Sequence, residues 1–330
     1  MLILAKATMA IMLGFVISLI IGLILIPFLK KRKAKQILSR HMSDEHLKKD
    51  GTPTLGGLIF IISTILALAL LYFRGSLEIN FNLVILVFVF LSFATIGFID
   101  DLLKIKAKNN KGLSTITKLT AKTFVAVVFF YIFMAHGGEP VLRITFLQMV
   151  IPLGWTFGLF ILFLLVGSAN AVNITDGLDG LAGGLAAIAF FAFGLIAWNT
   201  GWMEGYQDVA IFSFVLVGSL MGFLVFNSHP AKVFMGDTGS LALGAALATI
   251  AILTRHELSL ALVGGVFVIE TLSSLIQIIA IRKFNRKVFL MAPLHHHFER
   301  MGWNERDIVK LFWVVGLLLA MAAIIYGVWI

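Results

Sequence analysis

The sequence predicts an all-α polytopic membrane protein of about ten transmembrane helices, with both termini on the extracytoplasmic side. Three observations carry this. Of 330 residues, 60% are hydrophobic and only 13% charged, against about 25% charged in soluble domains. Apolar runs of roughly the ~20 residues that cross a bilayer recur along the whole chain, and Lys and Arg gather in alternate breaks between them. This composition excludes disorder, collagen and disulfide scaffolds, and with no cysteine there is no thiolate metal site or nucleophile. The net charge of +9 would suit nucleic acid only if the cations formed one solvated face. They sit in inter-span loops instead, so membrane orientation accounts for them and no nucleic-acid partner is expected.

The first apolar run, residues 8–29, has neither a charged leader nor a small-residue cleavage site and reads as a retained helix. Further runs follow near 54–73, 82–99, 119–135, 151–172, 181–198, 209–226, 239–254, 259–281 and 308–329, separated by polar or Gly/Pro-bearing breaks. No repeat of fixed period interrupts them and no break is long enough for a soluble domain, so residues 1–330 parse as a single membrane domain. Lys30, Lys31, Arg32, Lys33, Lys35, Arg40, Lys48 and Lys49 fall in the first break, and Lys104, Lys106, Lys108, Lys111 and Lys118 in the third. Those loops are expected to face the cytoplasm. Alternation puts Lys232 and the cluster Arg282, Lys283, Arg286, Lys287, Arg300 and Arg306 on the same side, with only Lys6, Arg74, Arg143 and Arg255 opposite. An even number of helices then leaves both ends outside. Lys30 to Lys35 also suit contact with anionic membrane lipids, at roughly ~1 kcal/mol per basic residue.

This topology gathers the acidic residues Asp100, Asp101, Asp176, Asp179 and Asp237 on the cytoplasmic face. Asp100 and Asp101 end the third apolar run before a Lys-rich loop. Adjacent helical residues point ~100° apart, so one carboxylate is free to act on a substrate while the other binds metal or Lys104; a charged helix stop paired with those lysines is the plainer alternative. NITDGLDG, residues 173–180, joins two apolar runs through two glycines and places Asp176 and Asp179 three apart, on one face if helical. An Asx turn explains one Asp-Gly easily, and two of them together with Asn173 poorly. The segment 227–240 combines an amide (Asn227), a cation (Lys232), an aromatic ring (Phe234), a glycine-rich turn and Asp237 ahead of a helix start. That is the content of a nucleotide-diphosphate site. The hard oxygens of Asp suit Mg2+, although Asp237 or Ser240 can equally cap the helix.

His295, His296 and His297 stand in PLHHHFE, residues 293–299. Neighbouring side chains diverge and zinc patterns space their ligands, so phosphate or sugar binding is favoured over a structural zinc. GTPTLGG, residues 51–57, follows Lys49 and opens a helix with Pro53 and Thr54 near its start, a ready anion site and also an ordinary cap. Glu270 and Gln277 lie seven apart within one apolar run, nearly on one face, where polar groups normally point into a bundle or a wet groove.

Together, and in this order, GTPTLGG, FIDD (98–101), NITDGLDG, PAKVFMGDTGS (230–240) and PLHHHFE resemble the phospho-N-acetylmuramoyl-pentapeptide transferase family over the chain from Lys49 to Glu299. Leu55 departs from the Met commoner there. The resemblance implies a ten-helix bundle, often a homodimer, in the bacterial cytoplasmic membrane with its active site facing the cytoplasm. It implies transfer of phospho-N-acetylmuramoyl-pentapeptide from its UDP carrier to undecaprenyl phosphate, giving lipid I for peptidoglycan and releasing UMP. By the same resemblance Asp237 binds Mg2+, and Asp100 deprotonates or positions the lipid phosphate with Asp101 in support. Lys49, Thr54, Asn173, Asp176, Asp179, Asn227, Phe234 and Gln277 then hold the donor, and His295 to His297 contact its phosphate or sugar. The chemistry agrees: an anionic phosphate attacking an anionic diphosphate needs cations to offset repulsion. Direct attack is favoured over an aspartyl intermediate, because positioning and charge neutralisation dominate phosphoryl transfer. Two other readings stay open. One is a sister transferase moving N-acetylglucosamine phosphate onto a polyprenyl phosphate, and the other is an ion-coupled transporter, against which Glu270 is the only acidic residue well inside a span.

Overall fold

The computed structural model describes residues 3–32, 51–107, 111–144, 147, 149–201 and 205–326. Lys49 lies outside the described residues, as do Lys33, Lys35, Arg40, Lys48 and Lys108. The long helices are α1 (Ile3–Lys31), α2 (Gly57–Phe73), α3 (Phe81–Ala107), α4 (Thr115–Ala135), α5 (Thr156–Thr175), α6 (Leu181–Trp198), α7 (Tyr206–Asn227) and α8 (Gly236–Leu253). After a short α9 (Glu257–Val263) come α10 (Gly265–Phe284), a second short helix α11 (Leu294–Arg300), and α12 (Glu305–Ile324). Among the described residues nine of these are long and apolar enough to cross a membrane, and the 17-residue α2 falls just short. The chain is therefore an all-α polytopic membrane protein.

The structure departs from the sequence expectation at three places. Helix α5 starts at Thr156, because Val141–Ile144 (β1) and Met149–Pro152 (β2) pair as an antiparallel hairpin ahead of it. Pro152 and Gly154 (φ +54°) stop a helix from starting earlier. The run 259–281 is not one helix, since α9 and α10 meet at Gly264. Helix α3 does not stop at Asp100 but runs on to Ala107, which puts Lys104 a full turn after Asp100. Leu102 and Ile105 pack on the core and favour continuation, and the carboxylates are paired rather than solvated.

Helices α7 and α8 form the centre, with 83% and 89% of their most apolar stretches buried against 28% for α1. Helix α7 packs on α1 and α6, and α8 on α3 and α5. Small residues allow this closeness. A Cβ on Gly218 of α7 would lie 1.9 Å from the Ile11 carbonyl of α1, and one on Gly97 of α3 would lie 2.1 Å from the Asp237 carbonyl of α8. The second approach sets the first turn of α8 beside the polar end of α3, where the acidic residues meet.

Candidate active site

Asp100 and Asp101 are buried near the end of α3, at 0% and 3% exposure, so their charges need partners. They have different ones. Asp101 accepts the backbone N–H groups of Asp237 (3.2 Å) and Thr238 (2.9 Å) and the Thr238 hydroxyl (2.7 Å), which satisfies donors that the start of α8 would otherwise leave orphaned. Asp100 Oδ1 accepts the Leu113 N–H at 2.6 Å, while its Oδ2 lies 2.7 Å from Lys104 Nζ and 2.8 Å from Lys118 Nζ.

The same two lysines reach Asp237. Lys104 Nζ is 3.2 Å from Asp237 Oδ1, and Lys118 Nζ is 2.9 Å from Asp237 Oδ2. Asn173, from the last turn of α5, donates through Nδ2 to Asp237 Oδ1 (3.0 Å) and to Ser240 Oγ (2.8 Å). Four helices thus converge on Asp237: α3 through Lys104, α4 through Lys118, α5 through Asn173, and α8 itself. Asp100, Asp101 and Asp237 each offer a carboxylate oxygen within 4.8 Å of the others, and this hard-oxygen set fits Mg2+.

Residues 176–180 form a turn between α5 and α6 rather than a helix, so Asp176 and Asp179 do not share one helical face. Gly180, at φ +80°, reverses the chain after two carboxylates that have gone separate ways. The Asp176 carboxyl is pushed up to about 7, first by burial and then by Asp237, Asp101 and Asp179. Asp179 instead joins His229 and Glu305. Its Oδ2 lies 3.2 Å from His229 Nδ1 and accepts the Ala231 N–H at 3.0 Å, its own N–H donates to Glu305 Oε1 at 2.8 Å, and His229 Nδ1 is 3.0 Å from Glu305 Oε2.

The segment 53–57 runs along the 234–235 backbone: Phe234 N–H donates to the Pro53 carbonyl (2.8 Å), Gly56 N–H to Phe234 O (2.8 Å), and Gly57 N–H to Met235 O (2.9 Å). Thr54 is buried there, its hydroxyl 2.7 Å from where a Cβ on Gly236 (φ +74°) would stand, so only glycine fits between Thr54 and Asp101. Phe234 stays half-buried. Asn227 donates to Val233 O at 3.0 Å, and among the described residues its buried Oδ1 has no hydrogen-bond partner.

The three histidines turn to three different partners. His295 Nδ1 lies 2.8 Å from Glu270 Oε2 with both side chains fully buried, His296 pairs with Glu299, and His297 Nδ1 accepts the Leu290 N–H at 3.1 Å. Burial holds His295 below the usual histidine range, against the pull of Glu270. Its Nε2 faces Gly177, where a Cβ would come within 2.3 Å, so α11 closes onto the 176–180 turn. Gln277 uses both ends of its amide on backbone, accepting from Val288 and Phe289 N–H and donating to Phe289 O, each at 3.0 Å.

The structure therefore gathers Asp100, Asp101, Asn173 and Asp237 in one centre, places Asp179 in a neighbouring cluster, and commits Gln277 to the 288–289 backbone. Sequence reasoning assigned Lys118 to topology alone and passed over Thr238, His229 and Glu305 as site-forming groups. The signal for Lys118 was its place in the first turn of a span, where a cation can face inward as readily as outward.

Comparison with known proteins gives two findings. The family described as glycosyl transferase family 4 matches residues 82–255, which include Asp100, Asp101, Lys104, Lys118, Asn173 and Asp237. The phospho-N-acetylmuramoyl-pentapeptide-transferase of Bacillus subtilis is 48% identical over 97% of both chains, that of a Geobacillus species is 47% identical over 98% of both, and that of Oceanobacillus iheyensis is 45% identical over 95% of both.

Proposed function

The chain belongs to the phospho-N-acetylmuramoyl-pentapeptide transferase family, and from that premise we propose how its acidic centre performs the transfer. The enzyme moves phospho-N-acetylmuramoyl-pentapeptide from UDP to undecaprenyl phosphate. An oxygen of the lipid phosphate bonds to the sugar-bearing phosphorus, the diphosphate bridge breaks, and UMP leaves with the bridging oxygen; the lipid product is lipid I.

The observation that carries this reading is the sharing of Lys104 and Lys118 between Asp100 and Asp237. Acceptor and donor are both anions, and two cations between two carboxylates can exchange a carboxylate partner for a phosphate as substrate arrives. That offsets the repulsion between the reacting groups without a charge left bare. Asp100 positions the lipid phosphate or takes its proton, and Asp101 keeps the first turn of α8 in place. Asp237 would hold Mg2+, which would supply charge neutralisation on the diphosphate and its leaving UMP. Phe234 and Asn227 are assigned to the base, and Asp176, Asp179 and Thr54 to the walls of the donor site. His295 to His297 are assigned to the donor phosphate or sugar.

The reading includes ten spans with α2 among them, both termini outside, and the site at the cytoplasmic face of the bacterial inner membrane. The basic residues flanking the site support this orientation, because a charged nucleotide donor does not cross the bilayer. It also includes a homodimer, which sedimentation in detergent checks. The activity test is purified protein with labelled UDP-muramoyl-pentapeptide, undecaprenyl phosphate and Mg2+. UMP and a lipid-linked product are expected; release of neither, or a preference for UDP-N-acetylglucosamine as donor, overturns the assignment.

A further inference from the structure

Lys122 lies on α4 one turn beyond Lys118, so the two cations share a helix face. It is only 4% exposed, yet its Nζ donates to a neutral group, Asn170 Oδ1, at 2.7 Å. Among the described residues no carboxylate pairs with it directly. The charges it faces at longer range are Lys118, which repels it, and Asp237 and Asp100. A buried cation whose nearest partner is an amide leaves its desolvation cost poorly offset, and an anion would repay it.

Asn170 is exposed, unlike Lys122. It ends a stripe on α5 formed by Leu159, Phe163 and Gly167, spaced three or four apart and hence on one face. Leu159 and Phe163 are 59% and 69% exposed, and among the described residues no heavy atom of a neighbouring element stands within 4 Å of where a Cβ on Gly167 would point. An open apolar lane therefore leads along α5 to an amide, behind it lies a cation with no carboxylate of its own, and one turn further stands Lys118 in the acidic centre.

We propose that Lys122 and Asn170 form the anion subsite for the terminal phosphate of a membrane-dissolved lipid whose chain lies along Leu159, Phe163 and Gly167. That this lipid is the acceptor rests on the transferase reading above; the binding site itself does not. A phosphate monoester fits better than a bulk phospholipid headgroup. It ends the chain without a second substituent, and its higher charge answers an unpaired ammonium and the free NH2 of an amide together.

The test is direct binding to the full chain in nanodiscs of neutral phosphatidylcholine, with undecaprenyl phosphate, undecaprenol, inorganic phosphate and phosphatidylglycerol as separate ligands. Wild type is expected to bind the prenyl phosphate at least about tenfold more tightly than the prenol, the worth of one hydrogen bond to a charged group. Lys122→Gln, and separately Asn170→Ala on the exposed side, should each remove most of that preference while UMP binding holds. In turnover, the acceptor KM should rise with the donor KM unchanged. A preference that survives both substitutions in folded protein overturns the proposal. Equal binding of inorganic phosphate removes the lane from it, and equal competition by phosphatidylglycerol makes the site a general headgroup contact; either also overturns it. Wild type that binds prenyl phosphate through Lys122 but yields no UMP from the donor would sink the transferase reading and leave the subsite standing.

Discussion

Thr238 donates both its backbone N–H (2.9 Å) and its hydroxyl (2.7 Å) to the same oxygen of Asp101, which ties the first turn of α8 to α3. Asp237 is the preceding residue, so this link sets where its carboxylate points. Thr238→Val keeps the volume and deletes one donor; it should lower stability by about 1 kcal/mol with part of the turnover retained. Asp101→Asn should lose more of both, because the carboxylate accepts three hydrogen bonds that a single amide oxygen cannot replace. An Asn variant with wild-type melting temperature and turnover would remove Asp101 from this role.

Asp237→Asn removes one charge from a carboxylate that contacts Lys104, Lys118 and Asn173. The shape is kept, so folding should survive while Mg2+ dependence is lost and turnover collapses, a barrier increase of several kcal/mol. Mn2+ or Mg2+ titrations of bound ion give a readout independent of turnover. Near-normal turnover with unchanged Mg2+ dependence would move the ion to another carboxylate.

The gathering of these groups was legible in part. Apolar run length gave the spans, since composition decides what can sit in hydrocarbon, and the motif residues were visible as polar islands at their ends. What was not legible was partnership. FIDD reads as a helix stop because two adjacent acids usually face water. It is interior helix here because Lys104 and Lys118 neutralise Asp100 and because the start of α8 hydrogen-bonds to Asp101. Likewise Gln277 and Glu270 share a face as their spacing implies, but one holds the 288–289 backbone and the other His295, contacts that depend on how the chain returns after α10. The pairing of β1 with β2 is not legible in the sequence, because the apolar residues of β2 run directly into the span that follows.

Asp176 carries a pH dependence with a definite sign. Its folded carboxyl is raised to about 7, first by burial and then by Asp237, Asp101 and Asp179, from an ordinary 3.8. Between those values the folded state holds a proton that the unfolded state has lost. The stability contributed by the neutral acid is thus complete below 3.8 and disappears as pH rises through about 7. Asp176→Asn stays neutral throughout and should gain on wild type from about pH 4 to about pH 7, then level off. A difference in melting temperature that is flat across that range contradicts the shift.

Phe234 is half-buried, and its backbone N–H donates to the Pro53 carbonyl while its own carbonyl accepts the Gly56 N–H, so the main chain that carries the ring is fixed on both sides. Stacking on uracil should be worth about 1 to 3 kcal/mol. Phe234→Ala is therefore expected to weaken UMP binding by roughly tenfold or more, with Phe234→Tyr close to wild type. An unchanged Kd in the Ala variant places the base elsewhere.

Asp100 is the position at which acceptor chemistry and donor binding can be tested apart. Its Oδ2 is the common end point of Lys104 and Lys118, and it lies deeper than Asp237, at 0% side-chain exposure against 16%. If it positions or deprotonates the lipid phosphate, Asp100→Asn should depress turnover strongly in folded protein, while UMP binding measured directly stays close to wild type. Phe234→Ala should do the reverse, and the pair forms the discriminating comparison. Loss of UMP binding with intact turnover at saturation would assign Asp100 to the donor side. Quenching with acid during turnover adds the mechanistic test. A direct attack leaves no phosphorus on the protein, whereas labelled sugar phosphate trapped on Asp100 would show that the carboxylate itself attacks first and that the lipid phosphate enters in a second step.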